Sequence, residues 1–257
     1  MRRSMAVQIL RHAFTMIFGN MGQALRVSIG PYALLILVVV VGLMMIGTPE
    51  DGLFDQSGAP DISATGVLVL TGIAVFALFV FGWVAVSWHR FILLEEYAGV
   101  LQAVADRQIW HYIGRSILYG FLMIAIAIPI FFIVGLVAAP FMSLGGSLIV
   151  FVVASTVLTY IWFRIALALP SVAVGKPISL GEAWAASSGL SGTIFGVAFL
   201  LMLINGLSDI VIDSIAPTLP IIGFAMSVAM QWLLLMLGIS ILTTFYGHLI
   251  EKRPLID

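Results

Sequence analysis

The sequence predicts an all-α, polytopic membrane protein with six transmembrane helices. Of its 257 residues, 62% are hydrophobic and only 9% are charged, whereas a soluble domain is usually about 25% charged. The mean hydropathy is +1.19. This apolar content is more than a globular core of this size can hide from water, so the composition excludes a soluble fold.

Six stretches are long and apolar enough to cross about 30 Å of hydrocarbon as helices. They lie near residues 28–47, 65–88, 116–139, 144–169, 193–214 and 219–246. Each is one continuous apolar run without the alternation of a barrel strand, and open strands would leave their edge N–H and C=O groups unpaired in lipid. We therefore expect residues 1–257 to form a single integral membrane domain.

The charged residues between these spans separate by sign. With six spans, all 11 Lys and Arg residues and all 4 histidines fall on one side of the membrane. The other side carries acidic residues, among them Asp209 and Asp213. Because short loops rich in Lys and Arg stay in the cytoplasm, we expect both termini to be cytoplasmic.

The basic side also carries amphipathic segments. In residues 5–26, polar side chains recur every three or four positions opposite an apolar face, which predicts a helix lying along the inner surface. Ser179 and Glu182 have the spacing of a capping box, which predicts a short helix over residues 180–188. Trp184 would anchor that helix at the interface.

Spans two, four and six end in similar aromatic-x-basic triplets. The triplets are Trp88-His89-Arg90, Trp162-Phe163-Arg164 and Tyr246-Gly247-His248. Amphipathic segments on the basic side precede the odd-numbered spans. We interpret this pattern as a threefold repeat of surface helix, span, outer turn and span, although interfacial aromatic and basic residues also recur in unrelated membrane proteins.

These features resemble a broad group of uncharacterised six-span bacterial inner-membrane proteins, similar to the membrane domain that is fused to some glycerophosphoryl diester phosphodiesterases. The resemblance rests on residues 5–26, Trp88-His89-Arg90-Phe91, and Trp162-Phe163-Arg164 followed by Leu180-Gly181-Glu182-Ala183-Trp184. It implies a fold and a bacterial inner-membrane location. It carries over no catalytic residues, because the stretches between spans are too short to hold a phosphodiesterase domain.

Two arginines near the basic boundary are candidates for binding a lipid or a partner. Arg90 and Arg164 lie just inside this boundary, beside Trp88 and Trp162. A basic residue near anionic headgroups contributes about 1 kcal/mol, so the four side chains could hold an anionic lipid or an acidic partner. In the alternative interpretation, the arginines are snorkelling anchors that only fix the topology.

Polar side chains within the spans form a second candidate site. Side-chain amides in hydrocarbon need partners, and they usually find them in interhelical hydrogen bonds worth about 0.6–2 kcal/mol. They could instead line a substrate pathway between spans four and six. The residues that would line it are Asn205, Gln231, Thr156 and Asp209, with Ser155 and Thr159 beside Thr156.

The sequence predicts no enzymatic activity, metal or cofactor. It contains no GxSxG, HExxH or Walker motif, and its lack of cysteine excludes disulfides, thiolate metal sites and cysteine nucleophiles. We expect a scaffold or accessory protein that binds membrane lipids or other membrane proteins at its cytoplasmic face, without nucleic acid. The alternative is a small-solute transporter or channel with the polar site described above.

Overall fold

The computed structural model describes residues 4–46, 63–99, 108–144 and 146–255, and nearly all of them are helical. Short 3-10 helices lie at Ala139–Leu144 and Ser188–Leu190. The α-helices are α1 (Met5–Gly19), α2 (Met21–Ile46), α3 (Ala64–Leu94), α4 (Ile109–Ala138), α5 (Gly146–Ala166), α6 (Ala168–Ala173), α7 (Leu180–Ala186), α8 (Ser191–Ile215) and α9 (Pro220–Leu249).

The predicted class is confirmed, because 6 helical segments among the described residues are long and apolar enough to cross a membrane. They are α2, α3, α4, α5 together with α6, α8 and α9. The antiparallel pairs α2–α3, α4–α5 and α8–α9 form helical hairpins. We call the end of the bundle that carries Arg90, Arg164 and Lys176 the basic end, and the end that carries Asp213 the acidic end.

The helix boundaries differ from the predicted ones at the basic end. The surface helix α1 ends at Gly19, where the Asn20 amide donates to the Met16 carbonyl at 2.9 Å, so residues 21–26 begin the first span instead. Helices α3 and α9 contain 31 and 30 residues. Each is therefore roughly 45 Å long at 1.5 Å per residue, which exceeds the hydrocarbon thickness of about 30 Å.

Five spans form a ring that is filled at its basic end. Helices α3, α4, α5, α8 and α9 contact one another in that order, and α9 returns to α3. Helix α2 packs on α3, and α1 lies across α8 and α9. All residues from Phe163 to Val174 are buried, so α6 fills the space between α3, α4 and α9.

The predicted capping box is present at the start of α7. The Ser179 hydroxyl accepts a hydrogen bond from the Glu182 backbone N–H, and the Ser179 backbone N–H donates to the Glu182 carboxylate. These hydrogen bonds from Ser179 lower the pKa of the Glu182 carboxyl below its usual value. The short helix that follows is thereby fixed at the basic end, and it positions Trp184.

Candidate functional site

Arg90 connects the end of α3 to two other segments. Its Nε atom donates to the Glu96 carboxylate at 2.8 Å, and Nη2 forms an ion pair with the same carboxylate. Its Nη1 atom donates to the Ala173 carbonyl at 2.8 Å, at the end of α6. All three guanidinium nitrogens therefore have partners within the protein.

Arg164 plays a similar part at the end of α5. Its nitrogens donate to the Ser187 hydroxyl at 3.0 Å, the Tyr160 hydroxyl at 3.0 Å and the Trp184 carbonyl at 2.7 Å. The guanidinium carbon also lies 3.7 Å from the centroid of a Trp184 ring, a cation–π contact. Only 6% of the residue is exposed, so Arg164 holds the α7 segment against α5.

The two residues before Arg90 connect α3 to α9. The fully buried Trp88 donates its indole N–H to the Ser240 hydroxyl at 2.9 Å. His89 is also fully buried; Nδ1 lies 2.8 Å from the Thr243 hydroxyl, and Nε2 lies 3.3 Å from the Tyr112 hydroxyl on α4. Because buried polar groups are costly unless they are paired, these hydrogen bonds specify how three helices meet.

The predicted lipid- or partner-binding residues thus have internal contacts in the structure. Trp162 is half-buried and, together with Tyr112 and Leu169, lines an apolar cavity of about 280 Å³ inside the ring. Arg90 and Arg164 are engaged as described, and Trp88 has no exposed surface. A ligand-binding role for these four residues stays a prediction. The contacts seen in the structure are those of residues that pack the helices together.

A long apolar groove runs between α3 and α4 and is open to the bilayer. Its volume is about 860 Å³. Trp110, which is 67% exposed, lies near its basic side, with its ring 5.4 Å from that of Phe79. A Cβ atom added at Gly72 or Gly114 would meet no atom within 4 Å. The remaining lining residues are Thr71, Val75, Phe76, Leu78, Ile113 and Ile117.

The sequence interpretation did not identify this groove. The groove depends on how α3 and α4 pair, which no local pattern in the sequence specifies. The sequence offered two signals: a glycine in each helix, Gly72 and Gly114, and a tryptophan, Trp110, near the start of a span. Small residues leave room between helices, and tryptophan favours the membrane interface.

A largely apolar cavity with three polar side chains lies between α5 and α8, beside α9 and near the middle of the spans, and its Asn205 side chain is exposed. Its volume is about 410 Å³. Ser155 and Thr159 from α5 and Asn205 from α8 supply its polar lining. The apolar lining residues are Phe151, Leu158, Leu201, Met202 and Leu234. The structure therefore brings Asn205 together with the hydroxyl groups of span four.

The other predicted substrate-lining residues lie elsewhere. Thr156 is buried, and its hydroxyl donates to the carbonyl of Val152 in its own helix at 2.7 Å. Gln231 is exposed on α9 and is not among the residues that line the cavity. Asp209 is exposed one turn beyond Asn205, toward the acidic end.

Comparisons with models of protein families, with curated proteins and with solved structures found no match to this chain. The resemblance to membrane domains fused to phosphodiesterases therefore stays a prediction. Within residues 4–46, 63–99, 108–144 and 146–255, no group of 3 or more His, Asp and Glu side chains is placed to share a metal ion.

Proposed function

We propose that the protein is a non-enzymatic integral membrane protein with a scaffold or accessory role, and that it binds a membrane lipid whose headgroup lies toward its basic end. The observation that carries this proposal is the groove between α3 and α4. Its lining is apolar, and Val75, Leu78, Trp110 and Ile117 are exposed along it. Within a bilayer, an apolar groove of this kind suits an acyl chain.

The groove has the length and the open walls that an acyl chain needs. From Thr71 to Phe79 it follows α3 for roughly 12 Å at 1.5 Å per residue, close to the hydrocarbon depth of one leaflet. Gly72 and Gly114 leave open space at one point on each wall. Because methylene groups pack well against such walls, a chain seated there would gain more contacts than a chain in free lipid.

The basic side of the groove has groups that suit a headgroup. Trp110 lies beside the exposed His111 at the start of α4. Arg115 lies one turn further along, and its Nη1 atom donates to the Ile178 carbonyl at 2.7 Å, which fixes the side chain at this end. Tryptophan favours the headgroup region, and cationic side chains attract anionic headgroups.

Filling the groove tests the proposal. Gly72→Leu and Gly114→Leu place side chains in it, and Gly135→Leu is a matched control because Gly135 also has open space at its Cβ position but lies outside the groove. Native mass spectrometry of protein purified from phosphatidylglycerol–phosphatidylcholine mixtures counts the retained lipid. We expect a loss of roughly tenfold in phosphatidylglycerol retention for the two groove variants and no change for the control.

Two outcomes contradict lipid binding in the groove. The first is equal lipid retention by all three folded variants. The second is retention of a copurifying membrane protein in place of lipid. If the leucine variants do not fold, quenching by brominated lipid decides the matter in the parent chain. The fraction of quenching lost in Trp110→Phe should be large, since Trp110 is the most exposed tryptophan among the described residues.

We also propose a bacterial inner-membrane location with both termini in the cytoplasm. The distribution of Lys and Arg supports this orientation. Because the chain contains 0 cysteines, single-cysteine variants label cleanly with membrane-impermeant reagents. Lys176→Cys should be labelled only from the cytoplasmic side and Asp213→Cys only from the outside; the reverse pattern would contradict the orientation.

Transport of a small solute is the second candidate function, and the cavity between α5 and α8 favours it. Its mid-span position and its polar lining suit a substrate site. Solute uptake into proteoliposomes that is abolished by Asn205→Leu, but retained by Gln231→Leu, would favour transport over lipid binding. Gln231 serves as the control because it does not line the cavity.

A further inference from the structure

The polar side chains of the α5–α8 cavity have no hydrogen-bond partners among the described residues. Thr156 satisfies its hydroxyl within α5, but no hydrogen bond among the described residues involves the side chains of Ser155, Thr159 or Asn205. The amide of Asn205 alone offers two donors and an acceptor with two lone pairs. Within the described part of the chain, the cavity therefore contains several hydrogen-bonding groups that no protein group satisfies.

Hydrocarbon cannot satisfy these groups. Asn205 is 14 positions from Ser191 and 10 from Ile215 in α8, which places it roughly 15–21 Å from either helix end. An unpaired amide at that depth is unfavourable, because lipid chains offer no hydrogen bonds. A cavity of about 410 Å³ is large enough for several water molecules, each of which needs two to four polar partners.

A line of carboxylates leads from this cavity to the acidic end. Asp209 and Asp213 follow Asn205 at steps of four residues in α8 and are both exposed. Residues spaced by four lie on nearly the same face of a helix. Neither carboxylate lines the cavity, but two negative charges on one helix face attract cations to its neighbourhood.

We infer that the cavity between α5 and α8, which is open at the exposed Asn205 side chain, is a water-filled inlet that continues toward the acidic end and admits small cationic solutes as far as Ser155 and Asn205. The cavity supplies the oxygen atoms that would contact such a solute, and Asp209 and Asp213 supply the attraction. The inlet does not depend on lipid binding in the α3–α4 groove, which lies between a different pair of helices.

Thiol chemistry measures the hydration directly, since the chain contains 0 cysteines. Methanethiosulfonates react with the ionised thiolate, which forms in water and not in hydrocarbon; a mixed disulfide forms and methanesulfinate leaves. Ser155→Cys changes a single atom of the cavity wall. Val153→Cys is its matched control, because Val153 is exposed on α5 but does not line the cavity.

We expect a cationic methanethiosulfonate to modify Ser155→Cys at least tenfold faster than Val153→Cys in proteoliposomes. Asn205→Cys and Leu207→Cys form a second pair on α8, with Leu207 exposed on the helix surface. The same difference is expected between them. If both members of each pair were modified equally slowly, the result would contradict a water-filled inlet.

The charge of the reagent tests the cation preference separately. The cationic reagent should modify Ser155→Cys at least fivefold faster than an anionic reagent of similar size, after correction for their rates with a free thiol. Adding Asp209→Asn should reduce this preference. Rapid modification without any charge preference would overturn the assignment to cationic solutes. Loss of the preference in Asp209→Asn, with hydration retained, would support it.

Discussion

The two ends of the helical bundle are held together in different ways. We call the packed part at the basic end the basic block: α1, α6, α7, and the last turns of α3 and α9. There, the residues from Trp83 to His89 and from Ile239 to Gly247 are all buried. In the acidic half, large apolar side chains such as Phe132 and Ile221 are exposed along the spans.

This difference in burial indicates which environment surrounds each end of the bundle. The basic block buries polar side chains and pairs several of them, as a soluble domain does, through Trp88, His89, Arg90 and Arg164. The buried indole N–H of Trp83 has no hydrogen-bond partner among the described residues. The acidic half leaves its apolar side chains to the lipid, so packing between its helices contributes less. On α3 the change occurs between Phe81, which is exposed, and Trp83, which is buried.

The largest expected effect is the loss of Arg164. Arg164→Ala removes three hydrogen bonds to a charged group and the stacking on Trp184. We expect the free energy of unfolding to fall by roughly 3 kcal/mol, as measured by denaturation in mixed micelles. Arg26→Ala is the control, because Arg26 is exposed. Equal stability of the two variants would show that the Arg164 contacts do not hold the block.

A smaller loss of stability is expected at Gly223, which packs tightly against Ala216 where α8 meets α9. A Cβ atom at Gly223 would lie 2.7 Å from the Ala216 Cα atom, which cannot move without the backbone. Gly223→Val should therefore cost about 2 kcal/mol through overpacking, as measured in the same denaturation assay. Gly135→Val should cost much less, since its Cβ position is open; similar costs would contradict the contact.

Trp88→Phe tests a single buried side chain of the basic block. It removes both the bond to Ser240 and part of a fully buried indole ring, so we expect a loss of about 1–2 kcal/mol in the free energy of unfolding. Phe132→Leu in the acidic half should change it by less than about 0.5 kcal/mol, because Phe132 is 67% exposed. A larger loss of stability for Phe132→Leu than for Trp88→Phe would contradict tighter packing at the basic end.

The smallest expected effect concerns the start of α7. Ser179→Ala removes a capping hydrogen bond and should cost about 0.5 kcal/mol. Since the folded state lowers the pKa of Glu182, its stabilisation is present above the usual glutamate pKa and is lost as pH falls through the lowered value. Backbone amide exchange in α7, followed between neutral and acidic pH, should show this loss in the parent chain and less of it in Glu182→Gln.

Much of the fold could be predicted from the sequence, because the bilayer imposes one-dimensional rules. Span length and hydropathy identified the six helices, and the spacing of Ser179 and Glu182 identified the start of α7. The end of α1 was wrong because the same periodicity continues past Asn20 into α2. The roles of Arg90 and Arg164 were harder, since a snorkelling arginine and an internally bonded one have the same sequence context.

The candidate sites depended on helix pairing, which hydropathy does not specify. Asn205 shares a cavity with Ser155 and Thr159 of span four, which lie at a similar depth in a neighbouring span; a substrate-lining role for it stays a prediction. Gln231 lies at a similar depth on α9 but is exposed and does not line the cavity, so depth alone could not exclude it. The α3–α4 groove required the relative position of Gly72 and Gly114, which only the folded structure supplies.

The most direct test of the difference between the two ends is a spin-label scan along α3, from Val67 to Leu93. Oxygen concentrates in hydrocarbon, so its collision rate with each label reports lipid exposure. We predict high, helically periodic oxygen accessibility from Val67 to Phe81, followed by low accessibility to both oxygen and a water-soluble reagent from Trp83 to Leu93. Lipid-type accessibility that continues with the same period to Leu93 would contradict a protein-packed basic block.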